Sequence, residues 1–343
     1  MKYAVFITSG IGNAIFLIPL IKELRKTGTV TLISSSPFGS ERIFKNLSHT
    51  ELGHIKMATS IVDYIGLSPY VLMKFDRVFI DYFGASRKNL ILGHLIGKQV
   101  ITSQIPRNLH PYFKAKIKLI APILGLHEGS QMLRFLDSEL NDSAINATSF
   151  HLNIGEQKEL NQKRYITIQP GAGNDKTPWK IWPVGQWIKL VQEIRTAFPE
   201  LIVKVLGDNS DLAYAGYFSQ MGSNVDVLID KTSLAELPKI LSGSALHIGA
   251  DSGLLHVAGA VGTRTITICG GSDPELFCWQ KLDAKKHLIV QHKMDCHPCY
   301  RYYLPNRSRV EAANDCPDFK CIRGIDPSEI TPLVKIQLFA DAE

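Results

Sequence analysis

Short β-branched runs alternate with longer segments of helical period along the whole chain. YAVFIT (3–8) leads into a helix-like segment ending near Lys26, and TVTLIS (29–34), RVFID (77–81) and KQVIT (98–102) follow. A polar stretch near 137–163 interrupts the rhythm. It restarts with YITIQ (165–169), LIVKVL (201–206), VDVLI (225–229), ALHIG (245–249) and RTITI (264–268). Runs this short and this apolar read as strands covered on both faces. Their alternation with helices predicts parallel sheets flanked on either side. Two such series separated by a polar linker predict an α/β chain of two Rossmann-like domains, 1–155 and 160–325, with a cleft between them. A last helix is expected within 326–343, with Asp326 as N-cap, Pro327 next and Glu329 in the capping-box position.

In sheets of this kind ligands sit beyond the carboxyl ends of the strands, at helix N-termini. The stretch IGADSGLLHVAGAVGT (248–263) is such a place. Ile248 ends a strand, Gly249 to Gly253 turn, and Leu254 opens a helix. Free amides at a helix start attract an anion. Gly253 permits close approach, and His256 lies one turn in. Ala258, Gly259, Ala260 and Gly262 suit tight packing on the sheet. The plainer alternative is that Asp251 or Ser252 merely caps the helix.

A second turn of this type opens the second domain, IQPGAGNDKTPWKIWPVGQW (168–187). Gly171 and Gly173 expose backbone amides, Lys176 and Lys180 bring positive charge, and Pro183 suits a first helical turn. Two anion-binding loops in one domain point to a diphosphate. The loop is not a dinucleotide fingerprint, and no strand-linked GxGxxG with its acidic partner occurs, which argues against a nicotinamide oxidoreductase.

Charge changes the picture in the first half. Residues 1–150 carry +7 and the remainder −1, of a total of +6 over 343 residues. A basic half suits an anionic partner or a membrane surface, or only a soluble basic face. No nucleic-acid-binding signature is present, and nucleic acid is not expected as a partner. No apolar run is long enough to span a bilayer, and the first residues read as strand, turn and helix rather than as a signal peptide, so a cytoplasmic protein is expected. Of six cysteines, Cys269 and Cys278 read as ordinary core or loop residues. Cys296, Cys299, Cys316 and Cys321 have the spacing of a tetrahedral structural site for zinc or iron, with reduced cysteines packing a loop, or cysteines pairing, as the alternative.

In their order, QPGA (169–172), WKIWP (179–183), SLAEL (233–237), DSGLLHVAGAVG (251–262) and CGGSDP (269–274) resemble glycosyltransferase family 9, the ADP-heptose:lipopolysaccharide heptosyltransferases. GIGNAIFLIPLIKELRK (10–26) and FDRVFIDYFG (75–84) resemble the family's first half. The resemblance implies a GT-B fold of two facing Rossmann domains, with the acceptor on the first, the nucleotide sugar on the second, and a C-terminal helix packing back toward the first. It implies inverting transfer of heptose from ADP-heptose, without a metal, to an anionic glycolipid such as a lipopolysaccharide core. The enzyme would work in the cytoplasm, with peripheral contact at the inner face of the inner membrane. By the same resemblance Lys180 and the amides at Ser252 and Gly253 hold the diphosphate beside Gly171 and His256. Asp251 faces the sugar or phosphates, and Asp211 approaches the ribose.

One departure matters. The family's opening Gly-Asp, whose aspartate is the expected base, reads Gly12-Asn13 here. An amide cannot take a proton from an acceptor hydroxyl. Either another carboxylate serves, with Asp81 at a first-domain strand end preferred, or the protein is a catalytically silent nucleotide-sugar-binding scaffold. Arg87 and the segment RNLHPYFKAKIK (107–118), with Arg107, His110 and Lys114, are the expected acceptor-binding residues. The alternative for that segment is a solvated helix face.

Overall fold

The computed structural model describes residues 1–34, 39–45, 56–58, 75–152, 154, 165–172, 177–299 and 316–340. The chain divides into two units, Met1–Gly155 and Glu156–Glu343. Each is built on a six-stranded sheet whose neighbours all run parallel.

In the first unit the strands are β1 (Lys2–Ile7), β2 (Thr29–Ser34), β3 (Lys56–Ala58), β4 (Phe75–Ile80), β5 (Gly97–Thr102) and β6 (Ile117–Leu119), ordered β3-β2-β1-β4-β5-β6. The helices that concern the site are α1 (Ile11–Phe16), α2 (Ile18–Arg25), α3 (Arg87–Ile96) and α4 (Pro111–Lys114). Tyr3 to Ile7 are all buried, as expected of a central strand covered on both faces. The order reverses direction between β1 and β4, and such a switch point opens a crevice at the carboxyl ends of the two strands.

The second unit repeats this plan with β7 (Tyr165–Gln169), β8 (Ile202–Val205), β9 (Val225–Val227), β10 (Leu246–Ala250), β11 (Arg264–Ile268) and β12 (His287–Val290), ordered β12-β11-β10-β7-β8-β9. Its switch point lies between β7 and β10. Helix α5 (Val184–Ala197) buries Trp187, Leu190, Val191 and Ile194, one stripe at helical spacing. Helix α6 (Gly253–Ala260) follows β10 and is buried almost throughout.

The strand reading stands for nine of these elements, three with unchanged bounds and the rest moved by one or two residues. β3, β6 and β12 were not anticipated. The first two are only three residues long, too short to show a period. Pro183 caps α5 rather than entering its first turn. The polar stretch after residue 137 is not all linker. Phe150 is fully buried in the first unit, its ring edge-on to Phe16 and to His127.

The last helix, α7 (Pro327–Phe339), begins as expected, with Asp326 and Glu329 closing a capping box. Its apolar face belongs to the second unit. Ile330 and Val334 lie in that core, Thr331 Oγ1 donates to Glu193 on α5 (2.6 Å), and Trp182 Nε1 donates to Ile325 O (3.1 Å) just before the helix. Within its own unit the helix packs on α5. Among the described residues no helix is long and apolar enough to cross a membrane.

Candidate active site

Both switch points carry polar side chains that the sequence singled out. In the second unit, Gln169 ends β7 and Asp251 follows β10, so the two adjacent strands deliver them side by side. Ser252 Oγ donates to Gln169 Oε1 (2.6 Å). That bond decides what the turn is for. Ser252 occupies the N-cap of α6, yet its hydroxyl is drawn to Gln169, and no side chain caps the helix. The plain capping reading therefore fails. The first amides of an eight-residue helix are left for something other than a side chain.

Asp251 is 6% exposed and both of its oxygens are engaged. Lys180 Nζ reaches Oδ2 at 3.0 Å and the backbone oxygen of the same residue at 2.7 Å. His256 Nε2 lies 3.1 Å from Oδ1. Trp279 Nε1 donates to His256 Nδ1 (3.0 Å), so this network assigns the imidazole proton to Nε2, where it is given to Asp251. Burial acts to raise the Asp251 carboxyl. The Lys180 ammonium, helped by His256, outweighs it and holds the group well below the usual carboxylate range. Asp251 is thus an anchor. It fixes a lysine and a histidine at the start of α6 and is itself covered, rather than facing a sugar or phosphate as expected.

Asp211 likewise differs from expectation. It is 3% exposed, its Oδ2 accepts from Asp208 N (3.2 Å), and Gly171 and Gly207 press on its carboxylate so closely that no Cβ would fit at either. The residue braces the two loops that carry Gly171 and Gly207. Gly259 owes its identity to the Trp279 ring lying against it, not to the sheet. Gly173 and Lys176 lie outside the described residues.

In the first unit, β1 and β4 are neighbours, and their carboxyl ends bring Thr8 and Asp81 together. Thr8 Oγ1 donates to Asp81 Oδ1 (3.1 Å), as does Gly84 N (2.7 Å). Oδ2 receives no hydrogen bond among the described residues. Asp81 is 2% exposed, and burial pushes its carboxyl up to about 6 despite those two bonds. A carboxylate with one oxygen held and a proton affinity near neutrality suits a general base. Asn13 sits on α1, and its Nδ2 donates to Ser9 Oγ (2.5 Å), which leaves its carbonyl oxygen as an acceptor.

Arg87 is exposed at the first position of α3, which Ser86 caps through Asn89 N (3.2 Å). The loop after β5 joins the Asp81 turn through Gln104 Nε2 to Tyr82 O (2.9 Å). Arg107, His110 and Lys114 are exposed farther along, His110 capping α4 through Tyr112 N. Among the described residues no hydrogen bond ties these three to the Asp81 turn.

The four cysteines share one neighbourhood. Burial pushes the Cys321 thiol up to about 11, and Cys299, Cys316 and Cys296 add to it. Phe319 N donates to Cys316 Sγ (3.3 Å), and Cys299 packs with Phe319 against Trp179. Among the described residues, however, no three histidine, cysteine or acidic side chains are disposed to hold a metal ion.

Sequence reasoning missed Gln169, Trp279 and Thr8 as partners. Gln169 lay inside a motif but had no assigned role. Trp279 is 23 residues from the histidine it holds, with no local pattern to join them.

A family model described as glycosyltransferase family 9 (heptosyltransferase) matches residues 93–307. The match includes Lys180, Asp251 and His256 and begins after Asn13 and Asp81. Lipopolysaccharide heptosyltransferase 3 of Escherichia coli is 27% identical over 125 residues, 36% of this chain and 34% of that protein, so the alignment spans about a third of the relative. The crystal structure of a family 9 glycosyl transferase from Veillonella parvula DSM 2008 superposes with a TM-score of 0.73 at 16% identity, covering 99% of this chain and 97% of that one. E. coli heptosyltransferase WaaC with ADP gives 0.67 at 16% identity, over 98% of this chain and all of the other.

Proposed function

The chain belongs to glycosyltransferase family 9, and from that premise we propose that it transfers heptose, with inversion, from ADP-heptose to an anionic glycolipid of the lipopolysaccharide-core type. The observation that carries the donor half is the uncapped start of α6, whose N-cap hydroxyl is diverted to Gln169 while Lys180 is held beside it. A diphosphate there accepts from the free amides and neighbours a fixed cation. As the bond from the anomeric carbon to the β-phosphate oxygen breaks, negative charge grows on ADP, and preorganised amides and lysine stabilise it without reorganising. WaaC, which shares the fold, was solved with ADP, and its donor class suits this arrangement.

On the acceptor side the hydroxyl oxygen forms the new bond to the anomeric carbon, and its proton passes to Asp81 Oδ2. Asn13 Nδ2, with one N–H given to Ser9, donates its other to the oxygen of that hydroxyl and orients it. Arg87, exposed at the start of α3, takes an acceptor phosphate. A buried carboxylate raised to about 6 at the β4 turn, with Oδ2 left for a substrate proton, favours the transferase over a silent scaffold.

Calorimetric titration tests the reading. ADP-heptose is expected to bind and NAD not to, and a heptose-deficient lipopolysaccharide is expected to accept the sugar with release of ADP. Binding without transfer would leave a scaffold. Failure to bind any ADP-sugar would overturn the donor site. A subtler expectation concerns Trp279→Phe, which keeps most of the ring but removes the N–H that sets His256. One net hydrogen bond is worth about 0.5–1.5 kcal/mol, so donor affinity should fall roughly two- to tenfold while the fold persists. Unchanged affinity would remove His256 from the donor site.

A further inference from the structure

From Tyr82 to His127 the chain contains no aspartate or glutamate, while it contains seven lysines and arginines: Arg87, Lys88, Lys98, Arg107, Lys114, Lys116 and Lys118. The second half of this stretch runs along one edge of the first sheet. Helix α4 packs at the end of α3 through ring contacts of Tyr112 and Phe113 with His94, and β6 then forms the outermost strand. Along that edge the basic side chains alternate with exposed apolar ones. Tyr112 is 65% exposed, and Leu119, Ile123 and Leu124 lie between 46% and 51%. Lysine on an edge strand has an ordinary use, which is to discourage pairing with another chain. That use does not require four large apolar side chains in water beside it. Basic residues interleaved with exposed tyrosine, leucine and isoleucine fit a surface that is negative outside and apolar just beneath.

We propose that the β6 edge of the first unit, from α4 through Leu124, docks on an anionic lipid bilayer. The lysines and Arg107 meet the headgroups, and Tyr112, Leu119, Ile123 and Leu124 enter the interfacial layer. β4, β5 and β6 are parallel, so Leu119 ends its strand at the same rim of the sheet as Asp81. Two strand spacings, about 10 Å, separate those strands. A docked bilayer therefore delivers a lipid-anchored acceptor to the rim that holds the base. The docking itself needs neither donor nor acceptor and can be tested whether or not the transfer reaction is as described.

Co-sedimentation of the full chain with vesicles tests it, in the absence of nucleotide sugar and acceptor. Vesicles of phosphatidylglycerol and phosphatidylethanolamine are expected to bind at least tenfold more tightly than phosphatidylcholine alone. Binding should weaken steeply as salt rises and surface charge is screened. Lys118→Glu should cost about fivefold or more, on the basis of about 1 kcal/mol per basic residue near such a surface. Tyr112→Ser/Leu119→Ser/Leu124→Ser should weaken binding to the same vesicles and leave a residue that salt removes entirely. Melting curves and ADP-heptose titration of the variants report an intact protein. Folded wild type that ignores anionic vesicles would overturn the proposal, and so would binding that neither variant alters.

Discussion

Replacing Asp81 with asparagine is expected to stop turnover while making the protein harder to unfold. The two effects have one cause. Burial pushes this carboxyl up to about 6, roughly two units above its ordinary value, and each unit is about 1.4 kcal/mol of strain in the charged form. A group whose proton affinity is raised on folding is easy to bury below its unfolded value, near 4, and costly to bury above its folded one. At pH 7.5 the wild type therefore carries a penalty on the order of 1–3 kcal/mol. The Asp81→Asn variant would avoid it, its amide keeping an oxygen for Thr8 and Gly84. The melting transition of the first unit should rise by a few degrees at pH 7.5. The gain should shrink as pH falls through 6 and vanish below 4. Turnover follows the opposite course. A base works ionised, so the wild-type rate should decline as pH drops through about 6. General-base catalysis contributes about 10²–10⁴-fold, and the same variant should lose that factor with ADP-heptose binding unchanged. Asn13→Asp serves as the control. It should change little if Asp81 is the base, and should raise the rate by a large part of the same factor if the base has been lost. Robust wild-type turnover untouched by either variant would send the base elsewhere.

Much of this was legible in the sequence because strands covered on both faces announce themselves as uninterrupted apolar runs. YITIQ, TVTLIS and RTITI were bounded to the residue. The turns after β1, β4, β7 and β10 were found for the same reason, since a strand end followed by glycine and polar residues places a loop at the ligand-binding rim. What could not be read was who holds whom. Asp251 and Asp211 looked like ligand-facing acids, yet one is clamped between Lys180 and His256 and the other lies beneath Gly171. Lys180 and Gly171 both come from the turn after β7, 71 and 40 residues from the acids they meet, and only the strand order brings those turns together. The four cysteines differ again: their spacing suggested one neighbourhood, and the fold gathers the thiols around Cys321.

The second large effect should follow from Lys180→Ala, and a double variant separates its two parts. The Lys180 and Asp251 side chains are 13% and 8% exposed. Removing one partner of a pair so covered leaves an uncompensated charge and typically costs about 3–5 kcal/mol. In the wild type the Asp251 carboxyl is held low, so its contribution is present above the ordinary carboxylate value and is lost only as pH falls far below it. Without Lys180 the burial that opposes this is left to dominate. The single variant should then gain stability as pH falls toward 5, where the wild type does not. Lys180→Ala/Asp251→Asn removes the stranded charge and should recover most of the melting temperature at pH 7.5. It should not recover the donor site. A charge-assisted bond from lysine to phosphate is worth about 1.5–3 kcal/mol, so ADP-heptose should bind about ten- to more than a hundredfold more weakly in both variants. If the double variant instead binds as the wild type does, Lys180 acts only through Asp251 and never touches the diphosphate. The anion at the start of α6 would then rest on the backbone amides alone.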